Sequence, residues 1–252
     1  MKVVILAGGK GTRLSEETQL RPKPLVEAQG RPLLWHVMQN YYRFGFSEFI
    51  ILAGYKGHQL REYFANYWLH NSDVTFDLNN QNQKILNGRG LPWKVTICDT
   101  GVDTATGGRI LRVKELLKED FLLTYGDGVS DVDICSLIAQ HKLNSSLVTL
   151  TAVQPPARFG ALHLDGCKVL NFVEKPDGEG SWVNGGFFVM NANVFDYIKN
   201  DNASFEIDVL PRIALDGKLG AFKHYGYWQP VDTMRDLQRL DESLSIGKLP
   251  WK

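Results

Sequence analysis

The alternation of short apolar runs with amphipathic helical segments is the feature that most constrains the fold of this chain. Apolar runs of strand length occur at residues 2–7, 49–53, 93–98, 121–125 and 146–153. Between them, apolar residues recur at helical spacing from about Leu33, Leu60, Gly108 and Val132. Repeated β-α-β units of this length predict the α/β class, with a mostly parallel open sheet flanked by helices.

The second half of the chain departs from this alternation. A "DG" turn between residues 161–164 and 168–173 predicts a β-hairpin, and "WVNGGFFVM" and residues 221–225 predict further strands. Helical segments are expected near 194–199, 207–214 and 234–246. Because no linker rich in Pro, Gly or Ser divides the halves, we predict a single domain over residues 1–252. Within this domain, residues 1–153 form a first part and residues 154–252 form a second part that adds further strands and helices to it.

Residues 71–92 do not fit the alternation. The segment is polar and rich in asparagine, and "VTF" and "KIL" are possible short strands. A connection of this length is usually a lid, an interaction arm or a mobile loop. The sequence leaves these three alternatives open.

Composition narrows the function classes. The chain carries 28 basic and 28 acidic residues, so its formal net charge is zero, which argues against binding nucleic acid or a membrane surface by bulk charge. Cys98, Cys135 and Cys167 are odd in number and widely spaced, which favours free thiols in a reducing compartment. No leader pattern or apolar run long enough to span a membrane is recognised. We therefore expect a cytoplasmic protein.

The glycine turn "LAGGKGTRL" directly follows the first predicted strand. Gly8, Gly9 and Gly11 would let backbone N–H groups converge on an anion, since glycine has no Cβ in the way. A dinucleotide fingerprint requires a glycine where Leu14 stands, and no Lys-Ser or Lys-Thr pair follows as a Walker loop requires. Taken alone, the turn remains compatible with an ordinary surface loop.

Four cationic residues follow the first strand, and one of them is held by a stiff segment. Lys23 lies between Pro22 and Pro24, which both restrict the backbone. This placement favours an aimed side chain, whereas Arg21 is expected to be an exposed charge. The turn and its cations together indicate a phosphate site.

Carboxylates at the ends of later strands are candidate metal ligands. Asp127 in "YGDGVSD" is either part of a tight turn or a ligand of a hard cation such as Mg²⁺. Asp232 in "WQPVDTMRD" is either such a ligand or a helix N-cap. Glu174 and Lys175 of "EKP" could form only a surface ion pair, and Asn184 before two glycines suggests a bulge or a ligand close to the backbone.

Longer blocks of the sequence resemble the sugar nucleotidyltransferases, also called NDP-sugar pyrophosphorylases. The opening "LAGGKGTRL" and "RPKPL", followed by "EKP" and "VDT", are similar to the signature of that superfamily. The resemblance narrows to the glucose-1-phosphate cytidylyltransferases on "GYKGHQLREYFANYWLHNSDVTF", "TYGDGVSDVDI", "PPARFGAL", "VNGGFF" and "YWQPVDTMRD". Residues 78–91 and "FEIDVL" match least well, and no role is assigned to Glu206.

The resemblance implies a Rossmann-like nucleotidyltransferase fold with an added sugar-binding part, and it implies roles for individual residues. Arg13 and Lys23 are the expected catalytic residues, neutralising charge at the α-phosphorus and on the departing pyrophosphate. Asp127 and Asp232 are expected to hold one Mg²⁺. The expected nucleotide contacts are Leu6, Ala7, Gly8, Gly9, Lys10, Gly11, Thr12, Arg13, Lys23, Thr104, Arg109 and Gly128. The expected sugar-phosphate contacts are Glu174, Lys175, Asn184 and Gly185.

The implied reaction is transfer of a cytidylyl group from CTP to glucose 1-phosphate, which serves bacterial surface-polysaccharide synthesis such as that of lipopolysaccharide O-antigen. Two alternatives stay open: a nucleotidyltransferase for another sugar 1-phosphate or NTP, and a catalytically silent nucleotide-sugar-binding protein. A dehydrogenase is disfavoured by the missing glycine. The expected partners are the two substrates and further copies of the chain, with no nucleic acid and no membrane.

Overall fold

The computed structural model of the protein describes residues 1–88, 90–155, 161–165, 167–173 and 181–251. For residues 13, 15, 16, 161–165, 172 and 173 it describes the backbone alone. The strands in this part of the chain are β1 (Val3–Ala7), β2 (Glu27–Ala28), β3 (Arg31–Pro32), β4 (Glu48–Ala53), β5 (Ser72–Asp77), β6 (Asn82–Gly88), β7 (Lys94–Asp99), β8 (Phe121–Tyr125), β9 (Gly128–Ser130), β10 (Val148–Val153), β11 (Ala161–Asp165), β12 (Lys168–Val173), β13 (Val183–Met190), β14 (Leu219–His224) and β15 (Trp228–Pro230).

The helices occupy most of the segments between these strands. The α-helices of the described residues are α1 (Ser15–Thr18), α2 (Leu33–Arg43), α3 (Gly57–Ala65), α4 (Tyr67–His70), α5 (Thr106–Leu111), α6 (Ile134–Asn144), α7 (Leu210–Leu215) and α8 (Met234–Ser245). Shorter 3-10 helices are Thr12–Leu14, Lys23–Leu25, Lys114–Leu116 and Ala192–Tyr197, and one π-helical turn covers Phe205–Val209.

The main sheet confirms the predicted fold class. Its strands lie in the order β14-β10-β13-β8-β1-β4-β7. Only β13 runs antiparallel to its neighbours, and the other pairings are parallel. All five residues of β1 are buried, as expected for a parallel strand covered on both faces. Because β13 and β14 come from the second half, that half extends the sheet as predicted.

Helices cover both faces of this sheet and close two apolar cores. On one face, α2, α3 and α6 contribute buried Leu34, Leu60 and Leu137. On the other face, α5, the π-helical turn and α7 contribute an apolar core that includes Phe205. A third cluster, which includes Trp251, forms where α8 packs against the first part of the chain. The two faces of the sheet are thus buried between helical layers. The ends of its strands are the places where a ligand can bind.

Two helices are shorter in the structure than the sequence predicts. The segment from Gly108 was predicted as one helix, but α5 ends at Leu111 and a 3-10 helix follows, which leaves Leu116 41% exposed. The helix near Leu60 is likewise interrupted between α3 and α4. In both places the apolar spacing continues beyond the end of the helix. Tertiary packing, and not the spacing, therefore decides where the helix ends.

The segment over residues 71–92 is built around a β-hairpin. Strands β5 and β6 pair antiparallel, which confirms "VTF" and "KIL" as strands. The hairpin is largely exposed, and Gly88 lies against Trp68 of α4. Whether it serves as an arm or a lid stays a prediction. Elsewhere, Cys98 and the other cysteines are free thiols, as expected. Among the described residues, none of the helices is both long enough and apolar enough for a membrane span.

Candidate active site

A cavity of about 210 Å³ opens beyond the carboxyl ends of β1 and β8. Ligands of open parallel sheets bind at this edge, because loops diverge from neighbouring strands there. The cavity collects seven of the predicted nucleotide and metal residues together with two that the sequence did not indicate, Pro24 and Gly126. The seven predicted residues are Leu6, Ala7, Gly9, Gly11, Thr12, Lys23 and Asp127.

The glycines of the turn after β1 serve different purposes. At Gly8 an added Cβ would lie 2.2 Å from Nη1 of Arg109, and at Gly11 it would lie 2.8 Å from Cγ2 of Thr18. Gly11 also has a φ of 62°, which favours glycine. At Gly9 an added Cβ would meet no atom within 4 Å. Packing therefore requires Gly8 and Gly11, whereas Gly9 leaves the backbone open to the cavity.

Arg109 lies behind this turn and holds neighbouring loops together. Its side chain is only 4% exposed. The guanidinium donates hydrogen bonds to the carbonyls of Gly8 and Gly101, at 3.1 and 2.6 Å, and to Oγ1 of Thr100 at 2.7 Å. Burial lowers the pKa of Arg109 from its ordinary value, although guanidinium remains charged in proteins. The guanidinium faces the protein's own oxygen atoms, so its predicted nucleotide contact stays a prediction.

Lys23 connects the two predicted metal ligands. It lies at the start of the 3-10 helix Lys23–Leu25 and is 8% exposed. Its Nζ donates to Oδ2 of Asp127 and to Oδ1 of Asp232, each at 2.7 Å. Burial alone would lower the pKa of Lys23, but the two carboxylates outweigh it and raise the pKa above its ordinary value. Lys23 is therefore protonated, and its ammonium contacts both carboxylates.

A short antiparallel pairing explains how two aspartates far apart in the chain meet. Strand β9 begins directly after Asp127 and pairs with β15, so that Gly128 stands opposite Pro230. The N–H of Val231 then donates to the carbonyl of Asp127 at 3.0 Å. This pairing carries Asp232, one residue further on, to the same edge of the cavity.

The helix-cap alternative for Asp232 is wrong. Thr233 is the N-cap of α8, and it forms a capping box with Asp236. The Asp232 carboxylate therefore does not cap α8, and it accepts a hydrogen bond from Lys23. The sequence alone could not decide whether Asp232 or Thr233 begins the helix, because Asp and Thr are both favoured N-cap residues.

The donor set at this place fits a hard divalent cation. Asp127 and Asp232 both offer carboxylate oxygens to the same point, which Nζ of Lys23 occupies. No cluster of three or more His, Cys, Asp and Glu side chains suited to a metal is found within the described ranges. Mg²⁺ is commonly held by one or two carboxylates, with substrate phosphates and water completing the shell. Asp127 in the cavity lining and Asp232 on the same ammonium meet that requirement.

The predicted sugar contact Asn184 lies at the same edge of the sheet. Because β13 is antiparallel, it begins where the parallel strands end. The register with β10 shifts here, which confirms the predicted bulge. Oδ1 of Asn184 accepts from the N–H of Gly186 at 2.8 Å, and the indole N–H of Trp228 donates to the carbonyl of Gly185 at 2.8 Å. Both predicted residues are thus fixed in place.

A carboxylate that the sequence did not assign lies at the end of β8. Glu206, in the π-helical turn, accepts hydrogen bonds from the hydroxyls of Tyr125 and Thr106, each at 2.6 Å, and of Ser204 at 3.0 Å. Tyr125 lies in β8 and Thr106 in α5, both far from Glu206 in the chain, so no sequence spacing could have indicated these two contacts. A π-helical turn often marks a functional position.

Other predicted residues lie outside the cavity lining. Nζ of Lys10 pairs with Oδ1 of Asp103 at 3.0 Å, and both side chains are exposed. Thr104 is half-buried in the loop after β7, and Gly128 lies in β9. Arg21 pairs with Glu residues at the surface, as expected of an exposed charge. The predicted roles of three groups fall outside what the structure describes: Glu174, Lys175 and the side chain of Arg13.

Known proteins resemble this chain along its whole length. A Salmonella typhi protein named "Glucose-1-phosphate cytidylyltransferase" is 52% identical over 254 residues, covering 100% of this chain and 99% of the relative. A Bacillus subtilis (strain 168) protein named "Probable glucose-1-phosphate cytidylyltransferase" is 43% identical, with coverage of 100% and 99%. The crystal structure of HddC from Yersinia pseudotuberculosis complexed with GMP-PN matches with a TM-score of 0.70 at 24% identity, covering 96% of this chain and 99% of that chain, which supports the fold. Residues 2–245 match the family described as "Nucleotidyl transferase", and the chain therefore belongs to the nucleotidyl transferase family.

Proposed function

We infer that the protein transfers a cytidylyl group from CTP to glucose 1-phosphate, giving CDP-glucose and pyrophosphate. The observation that carries this conclusion is the 52% identity, over the whole chain, to a relative of that name. The site agrees with the chemistry, since an open glycine turn, a buried ammonium and the Asp127 carboxylate line a cavity, and the Asp232 carboxylate contacts the same ammonium. Backbone N–H groups and an ammonium bind and neutralise phosphates, and carboxylates can hold a cation that does the same.

The reaction needs positioning and charge neutralisation more than proton transfer. An oxygen of the sugar phosphate attacks the α-phosphorus of CTP, a new phosphorus–oxygen bond forms, and the bond to the departing pyrophosphate breaks. Because the nucleophile is already an anion, no general base is required. We propose that Lys23 and Arg13 neutralise the charge that develops on the phosphates, as preorganised donors do in other transfer reactions.

We further propose Mg²⁺ as the divalent cation, held by Asp127 and Asp232. When bound, it would neutralise phosphate charge and help to orient the triphosphate. Lys23, which contacts both carboxylates in this structure, would then be available to the phosphates. Gly9 and Thr12 in the cavity lining are the proposed backbone and side-chain contacts for the triphosphate, and Asn184 is the proposed contact for a sugar hydroxyl.

The proposal also covers the division of the chain into two parts and its assembly with further copies. We propose that residues 1–153 chiefly bind the nucleotide and residues 154–252 chiefly bind the sugar phosphate. We also propose a homo-oligomer that acts in the cytoplasm. Light scattering coupled to size-exclusion chromatography would measure its mass, and a monomer at working concentrations would contradict the assembly.

The test of the activity is pyrophosphate release with Mg²⁺, measured for each NTP paired with glucose 1-phosphate. We expect CTP to be strongly preferred. Release with UTP or dTTP but not with CTP would overturn the cytidylyl assignment. No release with any pair would favour a nucleotide-sugar-binding protein instead.

A further inference from the structure

The pairing that brings the two proposed metal ligands together is short. Strands β9 and β15 form a separate two-stranded sheet, and each contributes three residues. A pairing of this size is marginal on its own, and it must hold the carboxylates of Asp127 and Asp232 close together although like charges repel. At the end near these carboxylates, the N–H of Val231 donates to the carbonyl of Asp127, and Lys23 contacts both carboxylates. The support at the opposite end decides whether the strands stay paired once Lys23 turns to a phosphate.

An imidazole and a carboxylate close that opposite end. His224 is the last residue of β14, Asp131 directly follows β9, and Tyr227 directly precedes β15. Nε2 of His224 lies 3.1 Å from Oδ1 of Asp131 and 3.2 Å from the carbonyl oxygen of Tyr227. Because these two oxygens only accept, Nε2 carries the hydrogen. The hydroxyl of Ser130 and the N–H of Asp131 donate to the same carbonyl, at 2.7 and 3.2 Å, so three donors meet where β15 begins.

The turn between β14 and β15 packs directly on this pair. The side chains of His224 and Asp131 are only 9% and 29% exposed, and Oδ1 of Asp131 is buried. At Gly226, within the turn, an added Cβ would lie 2.5 Å from Oδ1 of Asp131 and 2.7 Å from Cε1 of His224. A buried pair of this kind is weak evidence for added stability, because both groups lose their hydration. Its consequence is geometric, since it ties β9 and the start of β15 to the end of a strand of the main sheet.

We propose that His224 and Asp131 are positioning residues for the divalent cation. They fix β15 against β9 and thereby hold Asp232 beside Asp127, so that one cation can contact both carboxylates. The inference rests on the proposed function, in which these two aspartates hold Mg²⁺. When Lys23 turns from the carboxylates to the triphosphate, its link between the two strands is lost. The support at the opposite end then keeps the two ligands together.

The test measures binding of Mn²⁺, a divalent cation whose free form gives an EPR signal, to the wild type, His224→Leu and Asp131→Asn. The titrations are repeated in the Lys23→Met background, where no ammonium competes for the carboxylates. We expect His224→Leu and Asp131→Asn each to raise the Kd for Mn²⁺ by about tenfold, the lower end of what residues that orient metal ligands contribute. A Kd equal to that of the wild type in His224→Leu would overturn the proposal.

The two variants separate positioning from a general effect of charge. Asp131→Asn removes a negative charge, which by itself weakens cation binding, whereas His224→Leu removes a group that is neutral or positive and cannot weaken binding through charge. Weaker binding by both variants therefore reports the lost geometry, and weaker binding by Asp131→Asn alone would overturn the proposal. His224→Gln keeps an N–H donor for Asp131 and Tyr227, so we expect its Kd to stay within about threefold of the wild type.

His141→Leu is the matched control for the loss of a buried histidine. His141 lies in α6, is 5% exposed, and its Nδ1 lies 2.9 Å from Oγ1 of Thr149. We expect His141→Leu to leave the Kd for Mn²⁺ unchanged even where it lowers the free energy of unfolding. An equal rise of the Kd in this control would overturn the positioning role. Should His224→Leu fail to fold, His224→Asn, whose shorter side chain does not reach the position of Nε2, takes its place.

Asp127→Asn keeps this outcome distinct from that of the proposed metal site. Mn²⁺ binding that is lost in Asp127→Asn but unchanged in His224→Leu would overturn the positioning role alone. Mn²⁺ binding that survives Asp127→Asn, or that is absent with and without Lys23→Met, would contradict the metal site and with it this inference. Because neither nucleotide nor sugar phosphate is present, the result does not depend on which NTP the enzyme prefers.

Discussion

Replacing Lys23 by methionine would remove the ammonium that contacts both Asp127 and Asp232. In the structure, Nζ of Lys23 lies 2.7 Å from both Asp127 and Asp232. Methionine keeps the length and the apolar stem of the side chain but removes the charge. The variant therefore isolates the electrostatic contribution of the ammonium from the packing of its stem.

The expected loss of stability follows from the burial of the three groups. Removing one partner of a fully buried ion pair costs about 3–5 kcal/mol, whereas an exposed pair contributes about 0–1 kcal/mol. The Lys23 side chain is 10% exposed, but those of Asp127 and Asp232 are 36% and 29% exposed. Water therefore screens part of the repulsion, and we expect Lys23→Met to lose about 1–3 kcal/mol of the free energy of unfolding.

The assay is urea denaturation at neutral pH and low salt, with and without MgCl₂. A divalent cation should restore stability to Lys23→Met and should stabilise it more than the wild type, in which the ammonium competes for the same oxygens. At a free concentration 100 times its Kd, a cation that binds only the folded state adds about 2.7 kcal/mol. The matched control is Lys94→Met, because Lys94 pairs with Glu48 at 3.1 Å on the exposed surface.

Two results would refute this reasoning. If Lys23→Met unfolds at the same urea concentration as the wild type, the ammonium does not offset repulsion between the carboxylates. If MgCl₂ stabilises both proteins equally, the cation does not bind where Nζ lies. Lys94→Met should change stability by less than about 1 kcal/mol and should respond to MgCl₂ only as much as the wild type does.

Three further predictions follow from the site and its surroundings. Asp127→Asn should fold normally but lose on the order of 100-fold in pyrophosphate release; near-normal turnover would make Asp127 a turn residue. Gly8→Ala should lose about 1–3 kcal/mol in urea denaturation because its Cβ would press on Arg109, and an equal loss in Gly9→Ala would contradict the packing argument. Burial holds the pKa of His36 below its ordinary value of 6.5, so the unfolded chain binds the extra proton and stability should fall as pH drops below about 6.5. Unfolding curves at pH 5.5 and 7.5 measure this, and His36→Asn should reduce the difference.

The mostly parallel class of the main sheet could be predicted from the sequence, because buried parallel strands are short, apolar and separated by segments with helical spacing. Strand β1 is an example, since its five residues are apolar and all are buried. The limits of α5 could not be read in the same way. Leu116 continues the helical spacing, yet the helix has already ended at Leu111 and the side chain is 41% exposed. Spacing indicates which face could pack, but packing decides where the helix ends.

In the site, too, local features could be predicted from the sequence, whereas contacts between distant residues could not. The glycine turn and the constraint on Lys23 are local, and their sequence patterns indicated a phosphate site. The meeting of Asp127 with Asp232 depends on the pairing of β9 with β15, which a single sequence does not encode in any spacing. The contacts of Glu206 depend on distant residues in the same way, because its hydroxyl partners include Tyr125 and Thr106 on other elements. Contacts of this kind become visible only when the chain is folded.

The position of Lys23 also bears on how the site keeps its charge balanced. Two carboxylates at the edge of a cavity need a cation, and in this structure the ammonium of Lys23 supplies it. In the proposed complex, Asp127 and Asp232 would hold a divalent cation, and Lys23 would meet the negative charge of the incoming triphosphate. The ammonium would thus change partners without ever being buried alone, which avoids the large cost of an uncompensated charge. The two flanking prolines suit this role, because a stiff backbone lets the side chain move between the two partners while its anchor stays fixed.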